Sequence, residues 1–148
     1  MGLKGKLVVS MEVKCGGHLF HDLCQTKPHH LSNISPNNVT GFDLHEGEIG
    51  EVGSVVTWKY KEDGNAKIAK CVVIEVIDDE KKSSTWKLIG GDLLEAYNAF
   101  IVNISCYQHY ITWTLEYEKK TEDTPEPITF LGYVTGLIKD VEDHHVKK

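Results

Sequence analysis

TPEPITFLGYVTGLIKDVEDHHVKK, residues 124–148, is the stretch from which the fold is read. Leu131, Val134, Ile138, Val141 and His145 recur at steps of three and four, so they share one face of a helix. Thr124 stands where it can cap that helix, with Pro125 at the first helical position and Glu126 in the first turn, where the dipole favours negative charge. Lys147 and Lys148 close the C-terminal end. About twenty residues at ~1.5 Å each span ~30 Å, the length of nine or ten extended residues, so one such helix can cross a whole sheet.

The rest of the chain supplies that sheet. Leu7, Val9, Met11 and Val13 alternate with Lys6, Ser10, Glu12 and Lys14, the period-two pattern of a strand with one buried face. Residues 15–25 change period, with Leu19, Phe20, Leu23 and Cys24 on a helical stripe. Leu31 and Ile34, between Pro28 and Pro36, predict one further amphipathic turn. Strands are then expected over 39–46, 54–61, 66–77, 84–89, 93–106 and 111–118. The breaks between them are a glycine-spaced loop at 47–53, the hairpin turn Asp63-Gly64-Asn65, the charged turn 78–82 and Gly90-Gly91. Such short connections imply antiparallel neighbours. The reading is an α+β domain: one strand, two short helices, six strands and a long helix gripped by the curved sheet.

Composition narrows the function classes. A chain of 148 residues matches one domain, 1–148, and can bury a core without disulfides or a structural metal. Residues 1–6 hold two lysines and two glycines and lead into no long apolar run, so neither a leader nor a membrane span is expected. Cys15, Cys24, Cys71 and Cys106 lack paired spacing and are expected as free thiols in a reducing, cytoplasmic setting. The Asn-x-Ser/Thr sequons at Asn33, Asn38 and Asn103 are then expected to stay unmodified. Net charge is -6 and the lysines alternate with acids, so neither nucleic acid nor a membrane is an expected partner.

Strand parity turns Met11, Phe42, Trp58, Tyr60, Cys71, Val73, Trp86, Leu88, Trp113, Leu115 and Tyr117 inward, facing Phe130, Leu131, Val134 and Ile138 of the last helix. Phe20 and Leu23 join them from the first helix. Tyr97 and Phe100 are included although Phe100, Ile101 and Val102 are consecutive, and a bulge there would swap the face presented. Pattern alone does not separate a closed core from the lining of a cavity.

Several short stretches bear on that choice: Gly5-Lys6-Leu7-Val8, His29-His30-Leu31 up to Pro36, His45-Glu46-Gly47 with Val52-Gly53-Ser54-Val55, Glu75-x-Ile77-Asp78, Gly91-Asp92 and Trp113-Thr-Leu-Glu-Tyr-Glu-Lys119. Together they make the chain similar to the Bet v 1-type superfamily of plants, and within it to the major latex and ripening-related proteins, over essentially its whole length. The resemblance implies a helix-grip fold whose cavity admits a small hydrophobic or amphipathic ligand of the steroid, flavonoid, cytokinin or alkaloid class. The inward residues become its expected lining, with storage, transport or defence as expected uses. A charge at Leu131, in the expected roof, should then abolish binding. Gly16-Gly17 and the short Tyr107-Gln-His-Tyr110 connection depart from the family pattern at the border of the fold.

Other chemistries fit less well. The glycines of residues 47–53 accompany Glu48 and Glu51 and join two strands, whereas a phosphate cradle needs Gly-Lys-Ser/Thr leading into a helix. Cys15, His18, His21 and Cys24 recur every third residue; steps of about 300° spread them around half a helix, so they cannot all meet one tetrahedral ion. No metal or other cofactor is expected there or at His144-His145. Some relatives catalyse alkaloid condensation or isomerisation, and Tyr60, Tyr117 and Cys71 are the residues such an enzyme would use. Glu116 and Glu118 face outward by parity and no strand lysine or carboxylate faces inward, so the tyrosines are read as hydrogen-bonding handles for a ligand. A ligand-gated interaction protein is the third reading. Related hormone receptors carry a Ser-Gly-Leu-Pro-Ala gate and a His-Arg-Leu latch, where this chain has Lys61-Glu-Asp-Gly-Asn65 and Ile89-Gly-Gly-Asp92, so their protein partner is not expected.

Overall fold

The computed structural model describes residues 3–14, 17–78 and 81–146. Strand β1 (Lys4–Glu12) leads to α1 (Gly17–Thr26), then a 3-10 turn (Pro28–His30) that runs into the single turn α2 (Leu31–Ile34). There follow β2 (Val39–Glu46), β3 (Val55–Glu62), β4 (Asn65–Asp78), β5 (Lys82–Gly91), a second 3-10 turn (Asp92–Glu95), β6 (Tyr97–Tyr107), β7 (Tyr110–Lys119) and α3 (Ile128–Val146). The strands form one sheet in the order β1-β7-β6-β5-β4-β3-β2, every neighbouring pair antiparallel.

Local chemistry sets the connections. Asp63 and Gly64, at φ 52° and 80°, make the two-residue turn between β3 and β4, and Asn65 already pairs with Glu62. Gln108 takes φ 52° in the equally short link where Tyr107 faces Tyr110. Gly90-Gly91 is not the expected turn. β5 runs through Gly91, and the chain reverses in the 3-10 turn, which removes Leu93 and Leu94 from the expected strand. Helix α3 starts at Ile128 rather than beside Pro125, because Pro127 disfavours the α conformation at Glu126. Cys15, Gly16, residues 79 and 80 of the charged turn, and Lys147 and Lys148 lie outside the described residues, as does the His145 side chain.

α3 lies across the inner face of the sheet and is fastened near both ends. Towards its start, Tyr97 donates to the Pro125 carbonyl at 2.5 Å, Tyr117 donates to Glu126, Lys119 pairs with Glu126 at 2.5 Å, and Thr129 donates to Glu62 of β3. Towards its end, Ser35 donates to Asp140 at 2.6 Å and Asn38 to the same carboxylate at 3.1 Å. Glu126 thus anchors the chain ahead of the helix instead of filling its first turn.

Candidate ligand cavity

Between α3 and the sheet lies a cavity with a volume of about 50 Å³ open to the centre of a water-sized sphere. Trp58 and Tyr60 of β3, Ala69 and Cys71 of β4, Trp86 and Leu88 of β5, Val102 and Ile104 of β6, and Trp113 of β7 form its floor and walls. Phe130, Tyr133 and Leu137 of α3 form the roof, and Cys24, Leu31 and Leu93 close the sides. The void is well below the ~150 Å³ apolar cavity that takes benzene. Even a one-ring molecule requires the walls to part.

The residues read inward from the sequence divide into four groups. Trp58, Tyr60, Cys71, Trp86, Leu88, Trp113 and Phe130 stand on the wall. Phe20, Leu23, Val73, Leu115, Val134 and Ile138 are buried behind it, and Phe20 meets Trp113 edge-on at 6.2 Å. Tyr97, Phe100 and Tyr117 pack into an aromatic plug that ends on Phe130, with Phe100 and Phe130 centroids 5.8 Å apart. Phe42 is half-buried and reaches the cavity only through Trp58, at 4.7 Å. Met11, on the edge strand β1, is half-buried away from it. Leu131 is half-buried and off the wall, because the roof is made by the row Phe130, Tyr133 and Leu137 rather than by the row that contains Leu131.

Sequence reasoning missed Cys24, Leu31, Ala69, Leu93, Val102, Ile104, Tyr133 and Leu137 on the wall. For Val102 and Ile104 the signal is the register shift between Tyr97 and Ala99, after which Phe100, Val102, Ile104 and Cys106 all turn inward. The glycine-rich loop contributes nothing to the wall; its Gly50 packs instead against the Gln25 carbonyl of α1. His18 is exposed while His21 and Cys24 are buried, which sets the histidine–cysteine series on different sides of α1.

Electrostatically the wall is neutral at physiological pH. Burial pushes the Cys71 thiol up to about 12, and burial, with the Cys106 sulfur nearby, pushes Cys24 higher still. Burial likewise raises the phenols of Tyr60, next to Glu62, and of Tyr133. None of these groups is a nucleophile or base near neutrality. Two wider depressions on the outer face of the sheet are lined by a mixture of polar, charged and apolar side chains, among them Ser10, Ile77 and Thr112 in one and Lys4, Ile101 and Glu118 in the other. They offer water-facing surface rather than enclosure.

An antiparallel sheet closed by its C-terminal helix over an apolar, aromatic-walled cavity defines a helix-grip protein. The chain belongs to the pathogenesis-related protein Bet v 1 family, within its major latex protein branch; the family model matches residues 2–148. MLP-like protein 28 of Arabidopsis thaliana is 39% identical over 148 residues, covering 96% of this chain and 44% of that protein. MLP-like protein 43 of the same plant is 36% identical, covering 96% of this chain and 93% of that one. The chain therefore spans about half the length of some curated relatives and nearly all of others. The crystal structure of major latex-like protein 151 from Panax ginseng is 41% identical, covers 97% of this chain and 99% of that one, and superposes with a TM-score of 0.91.

Proposed function

We propose that the chain acts as one ligand-binding domain that holds a small hydrophobic or amphipathic molecule beneath α3 and carries or stores it unchanged. The observation that carries this reading is the cavity itself: a void walled by tryptophan, tyrosine and aliphatic side chains, with no charged residue among the described residues lining it. A ligand placed there leaves water and restores the dispersion contacts that the incompletely filled interior lacks. Binding without turnover is favoured over catalysis because the cavity thiols and phenols stay protonated at neutral pH. The closed form has less room than benzene needs, so the walls part around the ligand that enters. The free thiols of Cys24, Cys71 and Cys106 suit a reducing cytoplasm.

Native mass spectrometry of protein purified from its own tissue tests the proposal. A stoichiometric apolar compound, released unchanged on denaturation, is the expected result. A protein that carries nothing and fails to bind any apolar probe in the interior would place its function on the surface.

A further inference from the structure

The cavity wall contains more hydrogen-bonding capacity than the fold uses. Trp86, on the wall, donates its indole N–H to the Ser84 hydroxyl at 2.9 Å, and the phenols of Tyr97 and Tyr117 are committed to the Pro125 carbonyl and to Glu126. The Tyr60 hydroxyl and the Trp113 indole N–H are equally buried and have no hydrogen-bond partner. Gln25 and Ser54 also hold unpaired buried atoms, but neither lines the cavity. Tyr60 and Trp113 come from different strands and their rings border the same two roof rings, with both polar atoms sealed from solvent. Tyr60 lies 5.7 Å from Phe130 and 4.9 Å from Tyr133, and Trp113 lies 6.4 Å and 6.5 Å from them.

Unsatisfied polar atoms in an interior are uncommon and unfavourable, and a ligand group that completes their bonds gains what an apolar isostere cannot. Trp113 can only donate, and the Tyr60 hydroxyl can donate or accept. We propose that the site, opening around its ligand, selects an uncharged aromatic molecule bearing a hydrogen-bond-accepting oxygen, bonded by the Tyr60 hydroxyl or the Trp113 indole N–H. This rests on the cavity reading and narrows it to a ligand class. A carboxylate or ammonium group is excluded because no residue of opposite charge is among the described residues lining the wall to replace its hydration.

The test compares acetophenone with its near-isostere α-methylstyrene, in which a methylene group replaces the carbonyl oxygen, and with benzoate, by calorimetry or tryptophan fluorescence. The full chain is used, with Tyr60→Phe and Trp113→Phe as variants. Each loses one donor, and the ratio of the two affinities cancels general packing effects. The expected result is that the acetophenone to α-methylstyrene affinity ratio falls about three- to ten-fold in at least one variant, while benzoate binds far more weakly than acetophenone. A ratio unchanged in both variants, or benzoate bound as tightly as acetophenone, overturns the inference while leaving the cavity reading intact. Failure of both neutral compounds to bind the unmodified chain overturns the inference, and the cavity reading falls with it only if no other apolar probe binds either.

Discussion

Replacing Leu137 by alanine shrinks an isobutyl group to a methyl at a roof position that is 2% exposed. Large-to-small changes at such sites lose the transfer free energy of the deleted atoms and add a cavity term of ~24 cal/mol per Å³, together about 2–5 kcal/mol for leucine to alanine. Here the new void joins one that already exists, and α3 is fastened at both ends, which limits collapse and points to the upper half of that range. The control is Leu131→Ala on the same helix, half-buried and off the wall, expected to cost about 1 kcal/mol or less. Urea unfolding at equilibrium gives both values, and titration with naphthalene and with the three-ring anthracene gives the second readout. The enlarged cavity is expected to gain affinity for the larger ring system relative to the smaller, whereas Leu131→Ala changes neither. Equal destabilisation by the two substitutions, or an unaltered size preference in Leu137→Ala, would refute the placement of the roof.

Leu131→Arg is expected to fold and keep ligand affinity within about two-fold, contrary to the helix stripe read from the sequence, while Leu137→Arg abolishes binding by placing a charge in the apolar cavity; fluorescence titration of both variants decides. Gly50 has φ 84° and an added Cβ there would meet the backbone carbonyl of Gln25, so Gly50→Ala should cost more than the ~1–2 kcal/mol of a left-handed conformation alone, the cost expected for Gly53→Ala, whose Cβ would meet nothing within 4 Å. Denaturant midpoints of the two variants compare these costs. Cys71 and Cys106 titrate near 9.0 when exposed and are pushed up to about 12 by burial, so their contribution is complete below pH 9 and is lost as pH rises towards 12. Stability should therefore fall by up to ~1.4 kcal/mol per pH unit for each thiol in that window, and Cys71→Ala should flatten the profile.

What the sequence made legible follows from periodicity. Alternation along β3, β4, β5 and β7 assigned Trp58, Tyr60, Cys71, Trp86, Leu88 and Trp113 to the inner face, because parity has only two answers. It could not say which inward residues border a void: Leu115 and Val73 obey the same parity yet lie behind the wall, and that distinction depends on packing in the third dimension. On α3, steps of three and four located an apolar face but not its rotation. The helix buries two adjacent rows, and only Phe130, Tyr133 and Leu137 roof the cavity. The turn that holds Leu31 was legible from Leu31 and Ile34, but its place on the wall was not, and Leu93 sits in a 3-10 turn too short for a period to register. Pro127 was the local signal that the helix starts at Ile128, since the residue before a proline avoids the α conformation.

The measurement that tests the central claim most directly follows the indole N–H signals of the three tryptophans in ¹H–¹⁵N spectra during titration with acetophenone. Binding beneath α3 predicts a saturable shift of the Trp113 signal, larger than that of Trp86, whose N–H is already tied to Ser84. Unmoved indole signals at concentrations that saturate the protein, with shifts confined to outer-face residues such as Ser10 and Thr112, would contradict it.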